Sequence, residues 1–288
     1  MTRIAYLGTG LLGSGFVEAA CGRGDQVTVW NRTRAKADAL TAFGATVAES
    51  PAEAVRGAER VHLVLRDDAV VEEVMAAMRS GLSSDAVVVD HTTTRPDLTA
   101  ERMTRLQAEG VRYLHAPVFI GPAAARQAQG LILVSGPETQ YQAVRPALER
   151  QAASVHYWGE RPDLSAVYKL VGNAFLLGMG ALISDVFTIA SARGVSAPDA
   201  LKLLELFNPG TILQNRGRNM SQGKFDPSFE LVMARKDIRL MVETAGGRPL
   251  AALPGIGDRM DAVIAEGYGD RDFGVIARDA LAELSGGH

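Results

Sequence analysis

The sequence predicts an α/β protein: an N-terminal doubly wound, mostly parallel sheet, then an all-α domain, joined by a long interdomain helix. Three observations carry this. Short apolar runs alternate with amphipathic segments through the first half, the pattern of βαβ units. Several of those runs are apolar throughout, as strands covered by helices on both faces must be. After Pro162 the strand pattern stops and long helical periodicity takes over.

Taken in order, strands are expected at 4–7, 26–30, 61–65, 86–90, 112–118, 131–135 and 154–158. Helices between them are expected at 11–22, 33–42, 51–57, 68–79, 97–109 and 138–150. Beyond Pro162 helices are expected at 163–194, 197–206, 212–219, 229–246, 254–267 and 272–284. Ser196-Ala197-Pro198-Asp199 is a helix start, with a capping serine and proline in the first turn. Asn208-Pro209-Gly210 is a loop signal. A chain of 288 residues accommodates this two-domain plan and buries a core without staples. The division is expected at 1–160 and 161–288.

Composition removes several function classes. Lys+Arg is 30 and Asp+Glu is 33, a net charge of −3, which leaves no electrostatic footprint for nucleic acid or an anionic membrane. The single cysteine, Cys21, rules out an internal disulfide, and no metal site is expected. The N-terminal apolar run breaks at Gly8 and is too short for a signal sequence. The longest apolar stretch, 170–183, contains Asn173 and reads as a buried core helix rather than a membrane span. The cytoplasm is the expected compartment.

Gly8-Thr9-Gly10-Leu11-Leu12-Gly13 is G-x-G-x-x-G, placed between an expected strand and an expected helix at the start of a βαβ unit. Gly8 would make the tight turn, Gly10 would admit a pyrophosphate, and Gly13 would let the helix pack on the strand. The exposed N–H groups around Leu11 and Leu12 and the helix dipole would hold the anion. Residues 1–160 therefore read as a dinucleotide-binding Rossmann domain. An NAD site wants a carboxylate at the end of the second strand. Here that strand runs into Asn31-Arg32-Thr33-Arg34, with no acid. Arg32 can pair with a 2′-phosphate, Asn31 and Thr33 can add hydrogen bonds, and Arg34 or Lys36 more charge. NADP(H) is the expected cofactor. Leu65 and Arg66, at the end of the 61–65 strand, are expected to line the same site.

Lys169 and Asn173 lie early in the long helix, four residues apart and on one face, among apolar neighbours. A lysine there either reaches for water or lines a cavity. At the junction of an open α/β sheet and a helical domain it is placed to line the ligand cleft. Burial lowers a lysine pKa, and a lysine nearer neutrality serves as general acid or base.

The whole chain resembles the β-hydroxyacid dehydrogenase family, which includes 3-hydroxyisobutyrate dehydrogenase and tartronate semialdehyde reductase. Five motifs in order carry the resemblance: the glycine loop, Asp90-His91-Thr92-Thr93-Thr94-Arg95-Pro96, Lys169 with Asn173, Arg235-Lys236-Asp237-Ile238, and Gly269-Asp270-Arg271-Asp272-Phe273. The resemblance implies catalytic Lys169 and Asn173, Thr93 beside the nicotinamide, and Lys236 reaching the cofactor. It further implies a helical domain like that of 6-phosphogluconate dehydrogenase, assembled as homodimers or tetramers. One motif departs. The family's Asp-x-Pro-Val-Ser-Gly-Gly substrate loop stands here as His115-Ala116-Pro117-Val118-Phe119-Ile120-Gly121. Phe119, Ile120 and Gly121 are the expected substrate-contacting residues, together with Lys169 and Asn173. The lost hydroxyl and added bulk mean either core packing or a pocket for a larger, less polar substrate. His115 replaces the family's Asp and reads as structural.

The leading expectation is an NADP(H)-dependent oxidoreductase that interconverts a hydroxyl and a carbonyl on a small hydroxy acid, a semialdehyde or a related carbonyl. Imine reductases resemble this family in fold but usually carry Asp or Tyr where Lys169 stands. The lysine argues against that reading and the altered loop argues for it. A catalytically silent cofactor-binding scaffold is a third possibility, disfavoured by Lys169 and Asn173. A short-chain dehydrogenase is disfavoured because Tyr168 and Lys169 are adjacent.

Overall fold

A computed structural model describes residues 2–285. The chain forms two compact units that meet in sequence at Asn173 and Ala174. The first unit begins β1 (Arg3–Leu7), α1 (Leu11–Gly22), β2 (Gln26–Trp30), α2 (Arg34–Asp38), β3 (Thr46–Val47) and α3 (Pro51–Ala54). It continues with β4 (Arg60–Leu63), α4 (Asp68–Met78), β5 (Val87–Asp90), α5 (Pro96–Ala108) and β6 (Arg112–His115). These strands form one parallel sheet in the order β3-β2-β1-β4-β5-β6. The order reverses between β1 and β4, where open α/β sheets bind ligands at the carboxyl ends of the strands.

Alternate residues of one strand feed two cores. Ile4 and Tyr6 of β1 pack with Val27, Val29, Val87 and Val89 on one face. Ala5 and Leu7 pack with Val61, Leu63 and Val88 on the other. The near-continuous apolar strands of the sequence follow from this two-sided burial.

The expected strand 112–118 is two strands. The Ala116 N–H makes the last bond of the ladder, to Asp90 O at 2.7 Å; Pro117, which offers no N–H, follows, and β6 ends at His115. The chain resumes as β7 (Val118–Phe119), followed by α6 (Pro122–Arg126), β8 (Leu131–Val134), α7 (Glu138–Leu148) and β9 (Ser154–Tyr157). β7 runs antiparallel to β8, and β8 parallel to β9, in a separate three-stranded sheet. The short elements β3, β7 and α6 have too few residues to show a period.

The long helix α8 (Leu164–Ser191) begins in the first unit and continues into the second. By length and composition it could cross a membrane. Near its two ends it is held by protein: Ser165 and Ala166 are buried in the first unit, and the Asp185 carboxylate accepts the N–H groups of Ala251, Ala252 and Leu253 at 2.6–2.9 Å in the second. The expectation of a buried core helix over 170–183 is overturned. Leu170, Val171, Phe175, Leu176, Leu177, Met179, Leu182 and Ile183 are exposed in the single chain. The apolar face has too few partners within one copy to cover it.

The second unit continues with α9 (Ala197–Leu201), α10 (Leu203–Leu206), α11 (Pro209–Ser221), α12 (Leu231–Ala245), α13 (Leu253–Val263) and α14 (Arg278–Ser285). Ser196 caps α9 through the Asp199 N–H at 3.2 Å. Asn208 Oδ1 accepts from Gly210 and Thr211 N–H and starts α11 three residues before the expected 212. Leu231, Ala234, Ile238, Leu253, Met260, Val263 and Val275 make its core. Among the described residues it contains no strand, only a bridge between Glu230 and Asp272.

Candidate active site

The glycine loop joins β1 to α1 at the point where the strand order reverses. Gly8 has φ +98°, and a Cβ there would lie 2.2 Å from Val64 O, so no other residue fits. A Cβ on Gly13 would lie 2.1 Å from Gly8 O, which is the close helix–strand approach expected. The Cβ direction of Gly10 is open, with nothing within 4 Å, and Gly10 caps α1 with its side free for a ligand. Thr9 is buried, and its hydroxyl has no hydrogen-bond partner among the described residues. Leu11 projects outward, whereas the Leu12 side chain packs into the core.

A cavity of about 300 Å³ opens beside this loop. Gly8, Gly10, Asn31, Arg32, Thr33, Leu65 and Arg66 line it, so seven of the expected cofactor residues come together. Asn31 has a second task. Its Oδ1 accepts the Thr9 N–H at 3.0 Å and its Nδ2 donates to Thr33 O at 2.9 Å, which pins the glycine loop to the end of β2. Arg34 is committed to Glu49 and Asp38. Among the described residues Arg32 and Lys36 have no carboxylate partner, and both face the cavity. Trp30, Val64, Val70, Glu73 and Val74 complete its wall without having shown any motif in the sequence. The cradle, the unpartnered hydroxyl and the free cations fit a dinucleotide.

Thr93 is exposed in the segment between β5 and α5 and does not line this cavity. Its neighbour Thr92 connects to it: Thr92 Oγ1 accepts the Leu65 N–H at 3.1 Å. Lys236 lies in the second unit on α12, exposed and paired with Asp237 at 3.0 Å.

Lys169 is half-buried on α8, and its Nζ donates to Asn173 Oδ1 at 2.9 Å. Desolvation pulls its pKa below the usual lysine value. The ammonium stands over the Phe119 ring, 3.9 Å from its centroid. The other end of that ring lies against Gly172, where a Cβ would fall 2.2 Å from Phe119 Cζ. Gly172, between the two motif residues, was not singled out by the sequence. The structure also divides the altered loop. Phe119 meets Lys169, whereas Ile120 packs against the core and Gly121 is an exposed cap of α6. Core packing holds for Ile120, whereas Phe119 turns its ring to Lys169.

Two buried polar networks join residues that no local pattern links. Arg60 Nε donates to His62 Nε2 at 2.8 Å, His62 Nδ1 pairs with His91 Nε2 at 2.8 Å, and His91 Nδ1 donates to Ala116 O at 2.7 Å. The guanidinium can only donate and the carbonyl can only accept, so His62 Nε2 is a lone pair, His62 Nδ1 donates to His91 Nε2, and both rings are neutral. The second network surrounds His115, which is fully buried.

Residues 3–159 match the family of the NAD-binding domain of 6-phosphogluconate dehydrogenase. The chain belongs to that family. It is an oxidoreductase of a nicotinamide-dinucleotide-binding lineage. It is similar to glyoxylate/succinic semialdehyde reductase 1 of Arabidopsis thaliana, 26% identical over 283 residues that cover 95% of this chain and 96% of that protein. The solved imine reductase of Streptomyces aurantiacus is 25% identical, with a TM-score of 0.87 over 96% of this chain and 99% of that one. A reductive aminase from Aspergillus terreus, solved with NADPH4, cyclohexanone and allyl amine, shares the fold at TM-score 0.86 and 23% identity, over 96% and 99% of the two chains.

Proposed function

We propose that the chain is an NADP(H)-dependent oxidoreductase interconverting a hydroxyl and a carbonyl, with Lys169 as general acid and base. Its substrate is a small hydroxy acid, a semialdehyde or a related carbonyl compound, with its less polar part against the Phe119 ring. One observation carries the reading: a half-buried lysine of lowered pKa, held by Asn173 and standing over the Phe119 ring. When bound, the nicotinamide supplies or accepts the hydride. Lys169 Nζ then gives a proton to the carbonyl oxygen in reduction and removes it in oxidation. Asn173 holds Nζ in place. Arg32, free of any acid at the end of β2, supports NADP(H) over NAD(H) by pairing with the 2′-phosphate. Gly10 and the start of α1 receive the pyrophosphate.

The apolar Phe119 and the likeness to imine reductases favour a second reading, reduction of a C=N bond at the same site. The third is a silent dinucleotide-binding scaffold. The exposed apolar residues of α8 support a second copy of the chain as partner, through the helical domain. The cytoplasm is the proposed compartment.

The test is a steady-state panel with NADPH and NADH over semialdehydes, oxo acids, uncharged aldehydes and cyclic imines, for the native chain and Lys169→Ala. The reading expects NADPH-dependent carbonyl reduction, lowered about 10²–10⁴-fold in Lys169→Ala with cofactor binding retained. Full carbonyl activity in that variant overturns it. Turnover of imines alone selects the second reading, and tight NADPH binding with no turnover selects the third.

A further inference from the structure

His115 closes β6, and its ring touches two segments that the chemistry must hold apart at a fixed distance. On one side Nε2 lies 2.9 Å from Thr92 O and 3.0 Å from Thr94 Oγ1. On the other side Nδ1 lies 2.8 Å from Ser165 Oγ, in the first turn of α8. Thr92 O can only accept, so Nε2 carries the hydrogen. Nδ1 is then a lone pair, and Ser165 donates to it. Ser135 Oγ completes the grip, 2.7 Å from Ser165 Oγ and 3.3 Å from Ser165 N. All three side chains are fully buried. Ser165 precedes Lys169 by four residues, one helical turn along the same face.

We propose that His115 is a positioning residue: it ties the Thr92–Thr94 segment to the first turn of α8 and so fixes where Lys169 stands relative to the cofactor site. This rests on the role of Lys169 given above. The other charged groups that act on the imidazole are Asp90, held by the Thr92 N–H at 2.9 Å and the Tyr113 hydroxyl at 2.7 Å, and Arg102 with its partner Asp68 at 2.7 Å. Burial keeps the His115 ring neutral, which the single lone pair toward Ser165 requires. An apolar contact at Ser165 would bury the same surface but leave α8 free to slide or roll, because apolar burial is non-directional.

The decisive variant is Ser165→Ala, which removes the hydroxyl and leaves the ring and the fold in place. Three readouts are taken: kcat, the NADPH Kd by fluorescence titration, and the ionisation of Lys169 by pulsed acetylation across pH with mass spectrometry. The proposal expects kcat to fall at least about tenfold, since misplacements near 1 Å cost up to ~10²-fold. It expects Kd within about twofold. It also expects the Lys169 acetylation midpoint to rise by about half a pH unit as the amine gains water, with Lys36 unchanged. Should Ser165→Ala not accumulate, His115→Gln is read by the same criteria. An unchanged kcat and Lys169 midpoint overturn the proposal, as does a kcat loss matched by an equal loss of cofactor affinity. The acetylation readout needs no turnover. Positioning by His115 can therefore fail while Lys169→Ala still abolishes activity, or hold while it does not.

Discussion

Gly172→Ala should leave stability almost unchanged and damage the site. An added Cβ would lie 2.2 Å from Phe119 Cζ and 2.9 Å from Cε1. Ordinary contact begins near 3.4 Å, so the ring tip must retreat by about 1.2 Å, the difference of the two distances. The obstacle is the end of a side chain rather than backbone, so the cost sits at the low end of overpacking, about 1 kcal/mol. Alanine in a helix interior gains roughly 0.5–1 kcal/mol over glycine. The two nearly cancel. The ring, however, leaves its place 3.9 Å from the Lys169 ammonium, where the cation–π attraction is worth about 0.5–1 kcal/mol. The lysine loses one wall, and kcat should fall about 10–100-fold. A double-mutant cycle read by thermal melting and by kcat isolates the clash. In a Phe119→Ala background Gly172→Ala should be net stabilising by about 0.5–1 kcal/mol, a rise of a few degrees in Tm. Equal stabilisation with Phe119 present, together with unchanged kcat, would refute the reasoning.

Arg32→Ala should raise the NADPH Kd about 10–100-fold, the worth of lost charge-assisted hydrogen bonds, and leave the NADH Kd unchanged; an equal effect on both removes Arg32 from the 2′-phosphate. Phe119→Ser should raise kcat/KM for carboxylate-bearing carbonyls relative to uncharged aldehydes by about tenfold; an unchanged ratio separates the ring from specificity. Acid should destabilise the first unit through His91, whose pKa burial pushes down to about 4 from 6.5, and through His62, also pushed down by burial. Their neutral forms stabilise the fold above 6.5, and that contribution is lost as pH falls from 6.5 toward 4, at about 1.4 kcal/mol per pH unit for each ring. Thermal melts from pH 7.5 to 4.5 should show this slope, reduced in His91→Gln; a Tm independent of pH across that window contradicts it.

The plan of the chain was legible wherever a local rule acts. Apolar runs marked most of the strands, Ser196 marked a helix start, and the glycine loop was legible because each glycine answers a backbone requirement; Asn208-Pro209-Gly210, read as a loop, is itself the start of α11. What was not legible depends on contacts across the sequence. Glu73 reaches the dinucleotide cavity only because α4 lies beside the end of β2. His62 and His91 pair across 29 residues, and only the fold brings His62, which shows no motif, to the 90–96 segment that carries His91. Phe119 and Ile120 read as one bulky replacement, but successive side chains of an extended segment point to opposite sides. One ring therefore enters the site and the other side chain enters the core. The exposure of α8 was misread for a different reason. An apolar run records that a face will be covered, and does not record whether the covering residues belong to the same chain.

That ambiguity bears on how Lys169 keeps its place. A helix whose apolar face is open within one copy gains little orientation from apolar contact, which tolerates rolling and sliding. Directional contacts must then set its register. Three are spaced along α8: Ser165 on His115, Gly172 under the Phe119 ring, and Asp185 accepting three backbone N–H groups. Lys169 stands between the first two. The hydrogen bonds at Ser165 fix the axial position, and the ring at Gly172 admits only one rotation, because any other residue would turn a Cβ into it. A reacting group on such a helix is placed by its neighbours one turn before and one turn after, so substitutions there should change chemistry before they change stability.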